Sequence, residues 1–237
     1  MILPYKLIFL PGLALLLTAC GNAPDSSLPP GVETNPAFAS LNDSIKRYPE
    51  DADLYLRRAT RLTLANAHEM AYPDFKKAWS LKPSGETALP YAANLQILGK
   101  NAERLELLKT SAAKFPANPQ LQRLLGDAYA GSGKLGLALK QYQDMLNRNP
   151  ADFETWYEQA ILQEQMKDTA AAILSLQKAY ELQGVATYGL ELAHLYAEQK
   201  NAKALEICNQ ILKQDSASTL IDPLFIKGIY FSNLKQY

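Results

Sequence analysis

The stretch Pro119-Gln120-Leu121-Gln122-Arg123-Leu124-Leu125-Gly126-Asp127-Ala128-Tyr129 opens a pattern that recurs along most of the chain. With Pro119 as position 1, positions 4, 7, 8, 11, 20, 24, 27 and 32 are Gln122, Leu125, Gly126, Tyr129, Ala138, Tyr142, Met145 and Pro150. The next unit, thirty-four residues on, starts at Phe153 and places Trp156, Gln159, Ala160, Gln163, Ala172, Leu176, Ala179 and Gly184 there. An earlier unit from Ala52 places Tyr55, Arg58, Ala59, Leu62, Ala71, Phe75, Ala78 and Pro83. Small residues at 8, 20 and 27 let two antiparallel helices approach closely, and large ones at 4, 11 and 24 fill the gaps between them. Proline at 32 ends the second helix, because it lacks an N–H and clashes with the preceding turn.

Weaker units lie between and after these. From Gly85 the small residue is Ala92, the turn Gly99-Lys100 and the terminator Pro116. From Ala186, Leu192-Ala193 and Tyr196 fit the first helix, and a one-residue deletion aligns Ala204, Cys208 and Ile211 with the second. From Ile221, Leu224, Gly228 and Phe231 fit positions 4, 8 and 11. Residues 37–48 read as a lone second helix with Ala37, Leu41 and Ser44 at 20, 24 and 27. The sixth unit stops at Tyr237 and is too apolar for the polar outer cap that helical arrays need. Two readings stay open there, truncation (the favoured one) and an end that docks on a partner.

A fixed period of this length marks a repeat architecture. The pattern resembles the tetratricopeptide repeat (TPR): aromatic at 4, small at 8, Tyr at 11, Ala at 20, aromatic at 24, Ala at 27 and Pro at 32. The resemblance implies an all-α fold, a right-handed superhelix (α-solenoid) of about six helix–turn–helix units over residues 37–237. Composition agrees independently. The 237 residues include 39 Leu but only 2 Val and 11 Ile, a balance that favours helix over strand. Lys plus Arg equals Asp plus Glu at 24 each, so no general field draws the chain to nucleic acid.

The N-terminus reads differently. Lys6 precedes an apolar run from Leu7 to Leu17, too short for an ordinary transmembrane helix and followed by small residues, as export signals are. Leu17-Thr18-Ala19-Cys20 resembles the bacterial lipobox, which implies cleavage before Cys20 and acylation of its thiol and new amino group. Residues 1–19 are then a lipoprotein signal peptide and residues 20–36 a tether. Several acyl chains give stable anchoring, at about 0.8 kcal/mol per buried CH₂. The tether holds four prolines and at about 3.1 Å per extended residue reaches roughly 50 Å. Gly21, rather than aspartate, follows the cysteine. By analogy with lipoprotein sorting in Gram-negative bacteria, this favours the outer membrane, facing the periplasm.

Motifs with a chemical look have plainer readings. Gly131-Ser132-Gly133-Lys134-Leu135-Gly136 matches G-x-G-x-x-G but falls on the turn between the two helices of the best unit, where glycine ends a helix. Ala128 and Leu135 stand where a P-loop needs Gly and Ser or Thr. Cys208 falls at a packing position, and no histidine or carboxylate bears a predictable relation to it. His68 and His194 lack a metal-ligand spacing. No cofactor, metal or catalytic residue is expected.

The resemblance implies a groove lined by positions 2, 5, 9, 12 and 13 of each first helix. The candidate partner-binding residues are Asp53, Leu56, Glu86, Arg123, Asp127, Glu154, Tyr157, Ile161, Glu164, Leu190, His194 and Glu198. Over six units these positions hold seven carboxylates and one cation, Arg123. Chaperone-binding members of the family clamp a C-terminal carboxylate with Lys, Arg and Asn, a set this chain lacks. The groove is therefore expected to take a protein segment with apolar anchors and basic residues, unless its carboxylates merely solvate the helices. The expected role is a lipid-anchored periplasmic scaffold in assembly of an envelope complex, as similar lipoproteins serve pilus assembly, barrel-protein insertion and control of cell-wall hydrolases. The alternative is the non-catalytic part of a longer enzyme or sensor.

Overall fold

The computed structural model describes residues 32, 36–214 and 220–235. The predicted signal peptide, Cys20 and most of the tether lie outside them. A short 3₁₀ turn, Pro36–Phe38, leads into twelve α-helices, with no strand among the described residues. These are α1 (Ala39–Arg47), α2 (Ala52–Leu64), α3 (His68–Leu81), α4 (Gly85–Ile97), α5 (Asn101–Lys114) and α6 (Pro119–Gly131). There follow α7 (Leu135–Arg148), α8 (Phe153–Gln165), α9 (Thr169–Leu182), α10 (Ala186–Glu198), α11 (Lys203–Gln214) and α12 (Asp222–Asn233).

Local chemistry sets the helix limits. The side chains of Asp51, Ser84, Asn118 and Asp152 accept from backbone amides of the first turns of α2, α4, α6 and α8. These are the N-cap types that satisfy otherwise orphaned amides. At the other end, α3, α5 and α7 stop two residues before Pro83, Pro116 and Pro150, because proline disfavours helical backbone in the residue before it. Between paired helices the chain turns through a residue of positive φ: Asn66, Gly99, Gly133, Lys167 and Lys200. Each is position 15 of its unit.

The core follows the repeat. Ala59, Ala92, Ala160 and Ala193 at position 8, and Ala71, Ala138, Ala172 and Ala204 at the start of the second helices, are fully buried. Phe75, Leu108, Tyr142, Leu176 and Cys208 fill the position-24 sites between them. Each helix packs chiefly on its sequence neighbours, and α2 on α4, α4 on α6 and α10 on α12 add contacts between first helices. The buried residues therefore form successive clusters along the array, as expected when each unit touches only its neighbours.

The two ends depart from the repeat pattern. In α1 Leu41 is buried as expected, together with Asn42 and Ile45, whereas Ser44 is half-buried and Ala37, in the 3₁₀ turn before it, is exposed while Phe38 of that turn is buried. In α12, Leu224 and Phe231 are exposed and Pro223, Ile226 and Tyr230 are buried instead. One cause explains both. Positions 20 and 27 face a unit's own first helix, and positions 4, 8 and 11 face its second. Among the described residues no such partner covers α1 or α12, so each helix buries only the face turned toward the array.

Candidate functional site

The first helices α6, α8 and α10 bring the groove candidates of the C-terminal half together. Arg123 on α6 reaches across to the start of α8. Its Nη2 donates to both Asp152 carboxylate oxygens at 2.9 and 3.0 Å, and its Nη1 donates to Glu154 Oε2. Asp152 also accepts from the Thr155 amide at 3.1 Å and the Thr155 hydroxyl at 2.8 Å. Burial pushes the Asp152 carboxyl up, but the two bonds from Thr155 and the charge of Arg123 hold it below the ordinary aspartate value. The one cation among the groove candidates is thus held by two carboxylates.

Around this bridge the carboxylates outnumber the cations. Glu158 is raised above the usual glutamate value by burial first, then by Asp127 and Glu154, against the opposing pull of Arg123. Glu164 is raised by burial and by Glu191 and Glu198, with His194 opposing. His194 Nε2 lies 3.9 Å from Glu198 Oε1, a long contact that carries charge only when the imidazole is protonated. Asp127 Oδ1 accepts from the Tyr142 hydroxyl at 2.6 Å, which ties α6 to the second helix of its unit.

Aromatic rings sit among these charges. The Tyr157 and Tyr188 ring centroids are 4.6 Å apart, and Phe153 lies 6.2 Å from Tyr188. All three side chains are half-buried. Burial raises the Tyr157 phenol, and Glu191 and Glu158 raise it further; burial and then Glu154 and Glu158 act the same way on Tyr188. A half-exposed aromatic pair ringed by carboxylates presents π-faces and negative charge together, which is the chemistry that receives a cationic side chain.

Leu190 packs, half-buried, against the second large core cluster, and Ile161 is half-buried on α8. Asp53, Leu56 and Glu86 stand apart. Asp53 is exposed, 3.8 Å from Lys82; Leu56 packs on the N-terminal core; Glu86 is exposed on α4. Among the described residues no hydrogen bond or ion pair joins them to the cluster. In that half the comparable carboxylate, Glu103, already accepts from the Tyr72 and Tyr91 hydroxyls, and the Lys100 ammonium lies 4.4 Å from the Tyr72 ring centroid.

Glu158, Glu191, Phe153 and Tyr188 were missing from the sequence-derived set. The available signal was the glutamate at position 6 of two consecutive units, next to the groove residues Tyr157 and Leu190. The remaining motifs are structural. The amides of Ser132, Gly133 and Lys134 all donate to carbonyls at the end of α6, leaving none of the three for a phosphate. Cys208 is fully buried, and burial raises its thiol. Among the described residues no cluster of His, Cys, Asp and Glu has the geometry to hold a metal ion, and no helix is long and apolar enough to cross a membrane.

The helix pairs, their alanine crossings and their recurring turns define a tetratricopeptide-type α-solenoid, a right-handed superhelix. Solved structures of that class superpose on it. The TPR protein YrrB, described as having an unusual peptide-binding site, matches with a TM-score of 0.61 and 20% identity over 80% of this chain and 98% of its own. PilW, a type IV pilus biogenesis factor, matches with a TM-score of 0.63 and 22% identity over 81% of this chain and 89% of its own. A tetratricopeptide repeat protein from Parabacteroides merdae gives a TM-score of 0.65 at 16% identity, over 78% of this chain and 74% of its own. At the level of sequence, no family model and no curated protein matches the chain.

Proposed function

We propose that the chain is a non-catalytic scaffold, anchored through lipid on Cys20 to the periplasmic face of the outer membrane, that holds a partner protein for assembly of an envelope complex. The observation that carries the reading is the Tyr157–Tyr188 pair set among Glu154, Glu158, Glu164 and Glu191, with Arg123 already consumed by Asp152 and Glu154. Such a face attracts a basic segment, repels nucleic-acid phosphates, and offers aromatic anchors of the type that dominate binding energy. The peptide-binding site described for YrrB and the pilus role of PilW belong to those proteins, and they support the reading by showing what this fold carries elsewhere.

Two experiments test it. Replacing Cys20 with Ala should abolish acyl labelling and leave an unprocessed precursor; normal processing and membrane retention would overturn the anchoring. Proteins captured by the wild-type chain should be lost from a Glu158→Lys, Glu191→Lys double variant that still folds. An unchanged captured set would remove this face from consideration.

A further inference from the structure

In four units the second helix opens on a fully buried alanine, Ala71, Ala138, Ala172 or Ala204. The unit from Gly85 has Arg104 at that position, 8% exposed. Its Nε has no hydrogen-bond partner, and no ion pair to it forms among the described residues. Arginine does not shed its proton in proteins, so a buried Nε–H left without an acceptor here is expensive. Burial works against its charge more than the charge of Asp127 supports it.

The guanidinium lines a cleft of about 270 Å³ together with Gln96, Asn101, Leu124, Asp127 and Ser132. One water occupies about 30 Å³ of liquid, so the cleft takes a larger group. The lining is mixed in hydrogen-bonding character. Arg104 offers only donors. Among the described residues Asp127 Oδ2 accepts no hydrogen bond, whereas Oδ1 accepts from Tyr142. The Ser132 hydroxyl spends its proton on the Ala128 carbonyl at 2.7 Å and presents an acceptor. A carboxylate entering here would satisfy Arg104 but face Asp127 and the carbonyl end of α6, whose partial charge is negative. A primary carboxamide carries an acceptor and two donors on one planar head and meets both sides.

We propose that this cleft binds the side-chain carboxamide of an asparagine or glutamine in a partner polypeptide, its carbonyl accepting from Arg104 and its NH₂ donating to Asp127. The site lies between α4, α5 and α6, and it stands independently of the basic-segment reading because it needs no charge on the partner.

The test uses three blocked tripeptides without basic residues, N-acetyl-Gly-X-Gly-N-methylamide with X as Gln, Glu or Met, so that only the Gln peptide carries a primary carboxamide; each is titrated into isotopically labelled protein while the Arg104 Nε–H resonance is followed. The Gln peptide should shift that resonance and bind about tenfold more tightly than the Met peptide, the factor expected for about 1.4 kcal/mol of added hydrogen bonding. Arg104→Met, which keeps the apolar stem, should erase the difference between the peptides, read from backbone amides of α5 and α6. Asp127→Asn should move the preference from Gln to Glu. A Glu preference in the wild-type chain would make the cleft an anion site and overturn the proposal. So would equal responses to all three peptides, or a Gln preference that survives in Arg104→Met.

Discussion

Arg58 and Asp74 form a buried ion pair whose removal provides the sharpest test of how this array is held together. Arg58 Nε and Nη2 each donate to an Asp74 oxygen at 2.6 Å, and Nη1 donates to Asn42 Oδ1 at 2.9 Å. The two side chains are 0% and 2% exposed. Asp74→Ala deletes two charge-assisted bonds and strands a guanidinium with no water to replace them. Breaking a buried pair from one side costs about 3–5 kcal/mol. At roughly 2–4 °C per kcal/mol for a domain of this size, that is a loss on the order of 10 °C in melting temperature. A repeat array need not unfold in one step, so the loss should concentrate in α1, α2 and α3. Hydrogen exchange read helix by helix should show faster opening there and near-normal protection in α8–α11. Arg58→Met with Asp74→Leu should recover most of the loss, because an apolar pair of similar volume avoids desolvating two charges. A single variant within about 1 kcal/mol of wild type, or a double variant no better than the single, would refute this assignment.

Three further outcomes are expected. Gly126→Ala would place a Cβ in contact with the buried Tyr142 ring, 3.0 Å from its Cδ1 and Cζ, and the hydroxyl bond to Asp127 restrains that ring. Overpacking of about 1–3 kcal/mol should then outweigh the roughly 1 kcal/mol helix gain of alanine over glycine, and the melting temperature should fall. Glu158 has a folded-state carboxyl raised by burial, Asp127 and Glu154, so the folded chain holds that proton more tightly than the unfolded one and stability drops as pH rises from about 4.3 through the raised value. Glu158→Gln should therefore melt higher than wild type at pH 7 and match it below about pH 4. Tyr157→Ala should weaken a captured partner about tenfold or more through faster dissociation, whereas Asp127→Lys with Glu164→Lys should slow association and flatten its salt dependence; wild-type kinetics in both would exclude this face.

The helical repeat was legible from residue order because its causes are local or strictly periodic. A proline two residues past each of three second helices, a capping Asp, Ser or Asn before four first helices, and alanine at the crossings act the same way in every unit. Counting thirty-four was enough to find them. The count also placed Arg58 at position 7 and Gln159 at the equivalent place in the unit from Phe153, but their partners were silent. Asp74 and Ser175 both stand at position 23, and only the packing of second helix on first brings them to 2.6 and 3.1 Å from those side chains.

The candidate site was legible in part for the same reason. Tyr157 and the carboxylates at Asp127, Glu154 and Glu164 follow from position numbers, whereas Glu158, Glu191 and Tyr188 join the cluster because α8 and α10 lie side by side. Arg104 carries no such signal, because the weak unit from Gly85 shows the repeat in Ala92 and its turn but departs from it at position 20. At the two ends the repeat rule held only in part: Leu41 is buried as expected, but Ala37, Leu224 and Phe231 are exposed. A position number says which neighbour a residue would meet, and burial requires that the neighbour be there. The order of residues determined the period, the helices and their turns; tertiary packing decided that Arg58 met Asp74, Arg123 met Asp152 and Tyr157 met Tyr188, and which faces stayed open, since those contacts join residues sixteen to thirty-one places apart in the chain.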